Sequence, residues 1–211
     1  METRSKTTIL FQGDSITDSG RNYKKDENLG TGYVALAALW YSAMYPEKKV
    51  KFFNRGIKGN GIRDLCKRWQ KDTLNLRPDV ISILIGINDT LGKYFWGRPT
   101  TVAEFENDYR TIIQQTHDNL NCKIVLMEPF SIIVNQDQLR LREDLNPKIE
   151  VVRKLSEEFG TLLIPLDKIF EEAVKKREPQ FWTQDGIHPT PVGHALIAQS
   201  WLKAFTNKIL L

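Results

Sequence analysis

Five short runs rich in β-branched and apolar residues recur along this 211-residue chain, each followed by a longer amphipathic stretch, and this alternation most constrains the fold. Strands are expected over residues 8–12, 50–54, 80–85, 123–128 and 161–166. Val80-Ile81-Ser82-Ile83-Leu84-Ile85 is almost wholly apolar, as a central parallel strand buried on both faces must be. Helices are expected over 33–44, 62–74, 102–119, 145–159, 168–176 and 191–206. The first stops before Pro46, the second carries Leu65, Trp69 and Leu74 on one face, and the third spaces Phe105, Tyr109, Ile112 and Ile113 at helical intervals. No linker, repeat or low-complexity segment interrupts the pattern. The fold class predicted is therefore α/β: one domain over residues 1–211, a doubly wound, flavodoxin-like sheet of about five parallel strands with helices on both faces.

Composition closes off several function classes. At 41% hydrophobic residues the chain can bury one substantial core, yet no apolar run is long enough to span a bilayer. Residues 1–8 show no apolar signal segment with a small-residue cleavage site, so a cytoplasmic protein without a membrane partner is expected. Cys66 and Cys122 lie at neither disulfide-framework nor metal-finger spacing and read as free thiols. The net charge of +4 is spread over mixed runs such as Lys24-Lys25-Asp26-Glu27, which suit solvated faces better than a nucleic-acid footprint. Nothing calls for a cofactor.

In doubly wound sheets the ligand site lies beyond the carboxyl ends of the strands. Four loops meet that condition: Gly13-Asp14-Ser15, residues 54–61, Gly86-Ile87-Asn88-Asp89, and Glu128-Pro129-Phe130. Ser15 can be a helix cap or a nucleophile. His188, three residues after Asp185, can be a base whose second ring nitrogen is held by the aspartate, or a chance neighbour of a turn residue. His117 reads as a surface residue and His194 as structural. The glycines of 56–61 can make a strand-to-helix turn, cradle a phosphate, or offer the Gly59 N–H to an oxyanion alongside the Asn88 amide. Their spacing matches neither G-x-G-x-x-G nor the Walker loop. A metal-dependent hydrolase built on Asp185, His188 and His194, and a carbohydrate-binding module, stand as alternatives.

Taken together, Gly13-Asp14-Ser15, Gly59, Gly86-Ile87-Asn88-Asp89 and Asp185-Gly186-Ile187-His188 resemble, in order and spacing, the blocks of the SGNH (GDSL-type) esterase and acylhydrolase superfamily. The resemblance implies Ser15 as nucleophile, His188 as base, Asp185 as its orienter, and an oxyanion hole of Ser15 N–H, Gly59 N–H and the Asn88 side chain, with no metal. Segments 13–18, 30–35, 54–60 and 85–89, with Pro129-Phe130 and Trp182, are similar to bacterial intracellular acetyl-xylan esterases. That likeness implies a small acylated substrate, an acetylated xylo-oligosaccharide, and a homo-oligomer. A lysophospholipase or thioesterase of the same superfamily is the alternative. Asp14, Tyr94, Trp96, Phe130 and Trp182 are the candidate substrate contacts, with an oligomer contact or core plug as the other reading of 94–96. The stretch 131–146 reads as a polar loop suited to a hydrated sugar.

Overall fold

The computed structural model describes residues 6–208. The first five and last three residues of the expected domain lie outside the described residues. Five parallel strands, β1 (Thr7–Gly13), β2 (Val50–Gly56), β3 (Val80–Leu84), β4 (Lys123–Met127) and β5 (Leu162–Ile164), form one sheet in the order β2-β1-β3-β4-β5. This is the flavodoxin-like order. Leu10 pairs with both Phe53 and Ile81, so β1 lies between β2 and β3.

Successive side chains of a strand point to opposite faces, and the apolar strands feed two cores. Ile9 and Phe11 join Tyr33, Ala37 and Trp201 on one side, against α2 (Tyr33–Met44) and α9 (Pro191–Lys208). Leu10, Ile81 and Ile83 join Leu65, Trp69 and Ile112 on the other, against α3 (Ile62–Trp69) and α5 (Val102–Asn119). Ser82, the polar break in β3, accepts the indole N–H of Trp201 at 2.7 Å, which gives a buried donor its partner. Because the chain leaves β1 toward β2 and returns to place β3 on the other side, the loops after β1 and β3 part company and leave a crevice. The two shortest helices, α1 (Ser15–Asp18) and α8 (Pro179–Trp182), lie in the segments that carry Ser15 and lead to His188.

Three stretches depart from the expectation. Residues 86–89, read as a strand-end loop, lead directly into α4 (Ile87–Phe95), so Asn88 and Asp89 lie in a first helical turn. The expected helix over 62–74 is α3 continued by a π-helical turn, Gln70–Leu74. The polar loop expected over 131–146 is mostly helix: α6 runs Gln136–Glu158 straight through Pro147. An interior proline lacks the N–H for its turn and costs roughly 3 kcal/mol. Here Leu141, Leu145, Ile149 and Val152 are buried at helical spacing on both sides of it. Each buried side chain of that size contributes about 1.5–3 kcal/mol, which outweighs the proline. Lys148, wholly buried on α6, pairs with Asp144 and reaches the Thr90 hydroxyl at 3.4 Å, tying α6 to α4. Ahead of α9, α7 spans Leu166–Val174.

Candidate active site

β1 ends at Gly13, and Asp14 caps α1 by accepting the Ile16 N–H on Oδ1 at 2.9 Å. Ser15 is thus the first residue of a helix, one step past the sheet. Asp14 is 1% exposed, and its Oδ2 is buried without a hydrogen-bond partner. Burial pushes its carboxyl up to about 7, against the pull of the Ile16 N–H and His188. Asp14 is therefore a buried cap, which corrects its reading as a substrate contact.

The loop between α8 and α9 brings His188 to Ser15. His188 Nε2 lies 3.1 Å from Ser15 Oγ, and Nδ1 lies 2.7 Å from Asp185 Oδ2. Asp185 Oδ1 accepts the backbone N–H groups of Ile187 at 3.0 Å and His188 at 2.7 Å. Burial raises the Asp185 carboxyl, but the bonds from the His188 ring and the two N–H groups prevail and hold it below the usual carboxylate range. A carboxylate on Nδ1 selects the tautomer whose Nε2 can accept the serine proton. The loop is fastened from outside: Gln138 on α6 donates to the Asp185 carbonyl at 2.9 Å, and Gly186 O accepts the Ile132 N–H at 2.7 Å. Gln138 falls in the stretch read as loop, so no sequence pattern pointed to it.

Across the crevice, Asn88 is 7% exposed and gives one amide hydrogen to Asn60 O at 2.9 Å. An amide has two. Gly59 adopts φ +80°, a conformation that strains residues with a Cβ. Its loop is pinned on both sides: Asp18 Oδ2 accepts the Lys58 N–H at 3.2 Å, and Arg68 Nε donates to Asn60 Oδ1 at 2.9 Å. Asp18, which also accepts from Tyr23 and Arg21, enters the sequence reading only as the last residue of segment 13–18 and carries no role there.

The aromatic candidates divide. Phe130 is 0% exposed and stacks on Phe170 with ring centroids 4.3 Å apart, so it is core and not pocket wall. Its position after a strand suggested the rim, but the side chain turns into the apolar layer beside α7. Tyr94 and Trp182 are half-buried against the same core. Trp182 donates its indole N–H to Arg177 O at 3.2 Å, and Trp96, just past α4, is exposed. A cavity of about 1170 Å³ beside α2 and α9, lined by Leu36, Trp40, Met44 and Leu196, contains neither Ser15 nor His188.

His194 does not join His188. Its Nδ1 accepts the Tyr33 N–H at 3.2 Å, and among the described residues no three His, Cys, Asp or Glu side chains converge as metal ligands. Burial, with a smaller push from His188, lowers the His194 imidazole from 6.5 to about 4. The unfolded chain therefore binds a proton below pH 6.5 that the folded protein refuses until about pH 4. That proton favours unfolding, so this residue's contribution to stability falls as pH drops through the window. His194→Asn keeps an acceptor for Tyr33 and removes the titration. In urea unfolding, the stability of wild type relative to this variant should shrink between pH 7.5 and 5 by at most about 2 kcal/mol. A gap that stays constant, or widens, contradicts the buried neutral imidazole.

The chain and its fold have counterparts among known proteins. The family model for GDSL-like lipases and acylhydrolases matches residues 11–196. An acetylxylan esterase from Geobacillus stearothermophilus is 35% identical over 96% of this chain and 95% of its own. A crystal structure of that esterase superposes with a TM-score of 0.87 over 94% of this chain and 93% of its own, at 35% identity. A protein from Parabacteroides merdae described as a GDSL-like lipase gives 0.90 at 38% identity, over 96% of each chain. With matches of this extent, the chain belongs to the GDSL-like lipase/acylhydrolase family and is a carboxylic ester hydrolase.

Proposed function

We propose that this protein removes acetyl groups from short xylo-oligosaccharides, using Ser15, His188 and Asp185 through an acyl-enzyme. The observation that carries the reading is the relay Ser15 Oγ–His188 Nε2–Asp185, 3.1 Å and 2.7 Å long, at the carboxyl end of β1. His188 takes the serine proton as Oγ attacks the ester carbonyl, and the imidazolium is held by Asp185. The tetrahedral oxyanion accepts from the N–H groups of Ser15 and Gly59 and from the second amide hydrogen of Asn88. His188 then protonates the departing sugar oxygen, which leaves as a hydroxyl as the C–O bond breaks. Water repeats the sequence on the acetyl-serine and releases acetate.

The acetyl-sugar assignment is supported by the likeness to the Geobacillus enzyme, one variant of which is described as an acetyl-xylooligosaccharide esterase. It is tested by kcat/KM across 4-nitrophenyl acetate, butyrate and octanoate, with acetate release from acetylated xylo-oligosaccharides. The expected profile falls with chain length. An open apolar groove would gain about 0.8 kcal/mol for each buried methylene, so a maximum at octanoate contradicts the assignment and favours a lysophospholipase or thioesterase.

A homo-oligomer belongs to the same proposal. Trp40 and Met44 of α2 and Val192 of α9 are exposed and line one apolar cavity, and an apolar face of this kind suits contact with a second copy. Light scattering of wild type and Trp40→Glu tests it, with dissociation of the variant expected. Cys66 and Cys122 are free, half-buried thiols, which suits a reducing compartment such as the cytoplasm.

A further inference from the structure

We propose that Asp89 is a positioning residue of the oxyanion hole: together with the Asp18 and Arg68 contacts it holds the loop bearing Gly59 at working distance from Asn88. The proposal rests on the reading of Gly59 and Asn88 as oxyanion donors. Asn88 and Asp89 are consecutive in the first turn of α4, and their side chains grip the same neighbouring loop on either side of Gly61. Asn88 donates to Asn60 O at 2.9 Å, and both oxygens of Asp89 accept the Ile62 N–H at 3.1 Å. Ile62 opens α3, and its N–H is one of the donors a helix start leaves without an internal partner. Gly59 lies three residues upstream, so any drift of the α3 start moves the Gly59 N–H relative to Asn88.

Two further observations fit a clamp under close constraint. Asp89 is 3% exposed, and burial pushes its carboxyl up to about 7, against the Ile62 N–H and the charge of Lys148. A carboxyl buried this deeply needs hydrogen-bond partners, and the Ile62 N–H supplies one. Gly61 has an ordinary extended backbone, φ −102°, that alanine can also adopt. Yet a Cβ there would meet Asp89 first, 2.8 Å from Oδ1. The glycine makes room for the carboxylate and not for a turn.

Steady-state kinetics on 4-nitrophenyl acetate separate the possibilities. Asp89→Ala should lower kcat by about 30–100-fold with KM within about twofold, because misplaced donors are missed mainly in the transition state. Asp89→Asn retains an acceptor for Ile62 N–H and should recover to within about tenfold of wild type. Gly61→Ala, which displaces the carboxylate from the other side, should lower kcat by about tenfold alone and add nothing in the Asp89→Ala background, since the new methyl then fills vacated space. Gly61→Ala and Asp89→Asn carry the test if Asp89→Ala does not fold. Asn88→Ala is the control and should lose about 10²–10³ in kcat. If Asn88→Ala costs nothing, the oxyanion reading itself is lost. If Asn88→Ala costs activity while the Asp89 and Gly61 variants lose only thermal stability, or if the two substitutions add fully, the positioning role is overturned and the hole stands.

Discussion

Ser15→Ala should lower ester turnover by at least about 10⁴-fold while leaving the fold unchanged. Removal of the nucleophile in triad hydrolases leaves only what the oxyanion hole and binding supply, roughly 10³–10⁴ over water. The hole survives here, since alanine keeps the backbone N–H at position 15. The helix start survives too, because the cap is Asp14, whose bond to Ile16 N–H does not involve the serine hydroxyl. Ser15 is only half-buried, so its Oγ contributes little packing. Stability should therefore stay within about 0.5 kcal/mol of wild type. Retention of more than about 1% of kcat by a variant with a normal circular dichroism spectrum would show that the nucleophile lies elsewhere.

His188→Ala should approach the loss of Ser15→Ala, and Asp185→Asn should be milder by about 10–100-fold. His188 carries the proton in both half-reactions, so nothing replaces it. Asp185 carries none. An asparagine oxygen can still take the N–H groups of Ile187 and His188 that fix the loop. The Asp185 side chain is 53% exposed, so water can also stand beside Nδ1. What the variant loses is the charge opposite the imidazolium and the firm choice of tautomer. Equal losses in the two variants, measured as kcat/KM on 4-nitrophenyl acetate, would assign the carboxylate more than an orienting role.

The sheet was legible because its strands are strongly apolar, as in Val80–Leu84, where every residue is buried, and because helical and strand periodicities alternate along the chain. The wrong reading of 131–146 came from its charges, Asp137, Arg140, Arg142, Glu143 and Asp144, which hide a buried stripe that becomes visible only once the helix expected from residue 145 is continued upstream to Gln136. Phe130 was misplaced for a related reason. Its position after β4 fixes the backbone at the rim, but the direction of the ring depends on Phe170, forty residues later.

At the site, strand ends and spacing singled out Ser15, Asn88, Asp185 and His188 as candidates with other readings open, and their roles came only with the resemblance of the four blocks taken together. The roles of Gln138, Asp18 and Asp89 could not be read in this way. Each acts by bonding a backbone group of a distant loop, and a backbone amide carries no signature of its partner in the sequence. Asp89 was visible as a residue beside Asn88, yet its bond to Ile62 requires β1 to lie between β2 and β3, with the loops after β2 and β3 folded toward each other across its end.

The central claim is that Ser15 is the acyl-accepting nucleophile activated by His188. It is tested most directly by titrating the enzyme with diethyl 4-nitrophenyl phosphate and mapping the adduct by peptide mass spectrometry. The account predicts one phosphoryl group per chain, on Ser15, formed in step with the loss of esterase activity and greatly slowed in His188→Ala. Complete inactivation with Ser15 unmodified, or an adduct on another residue that tracks the loss, would contradict it.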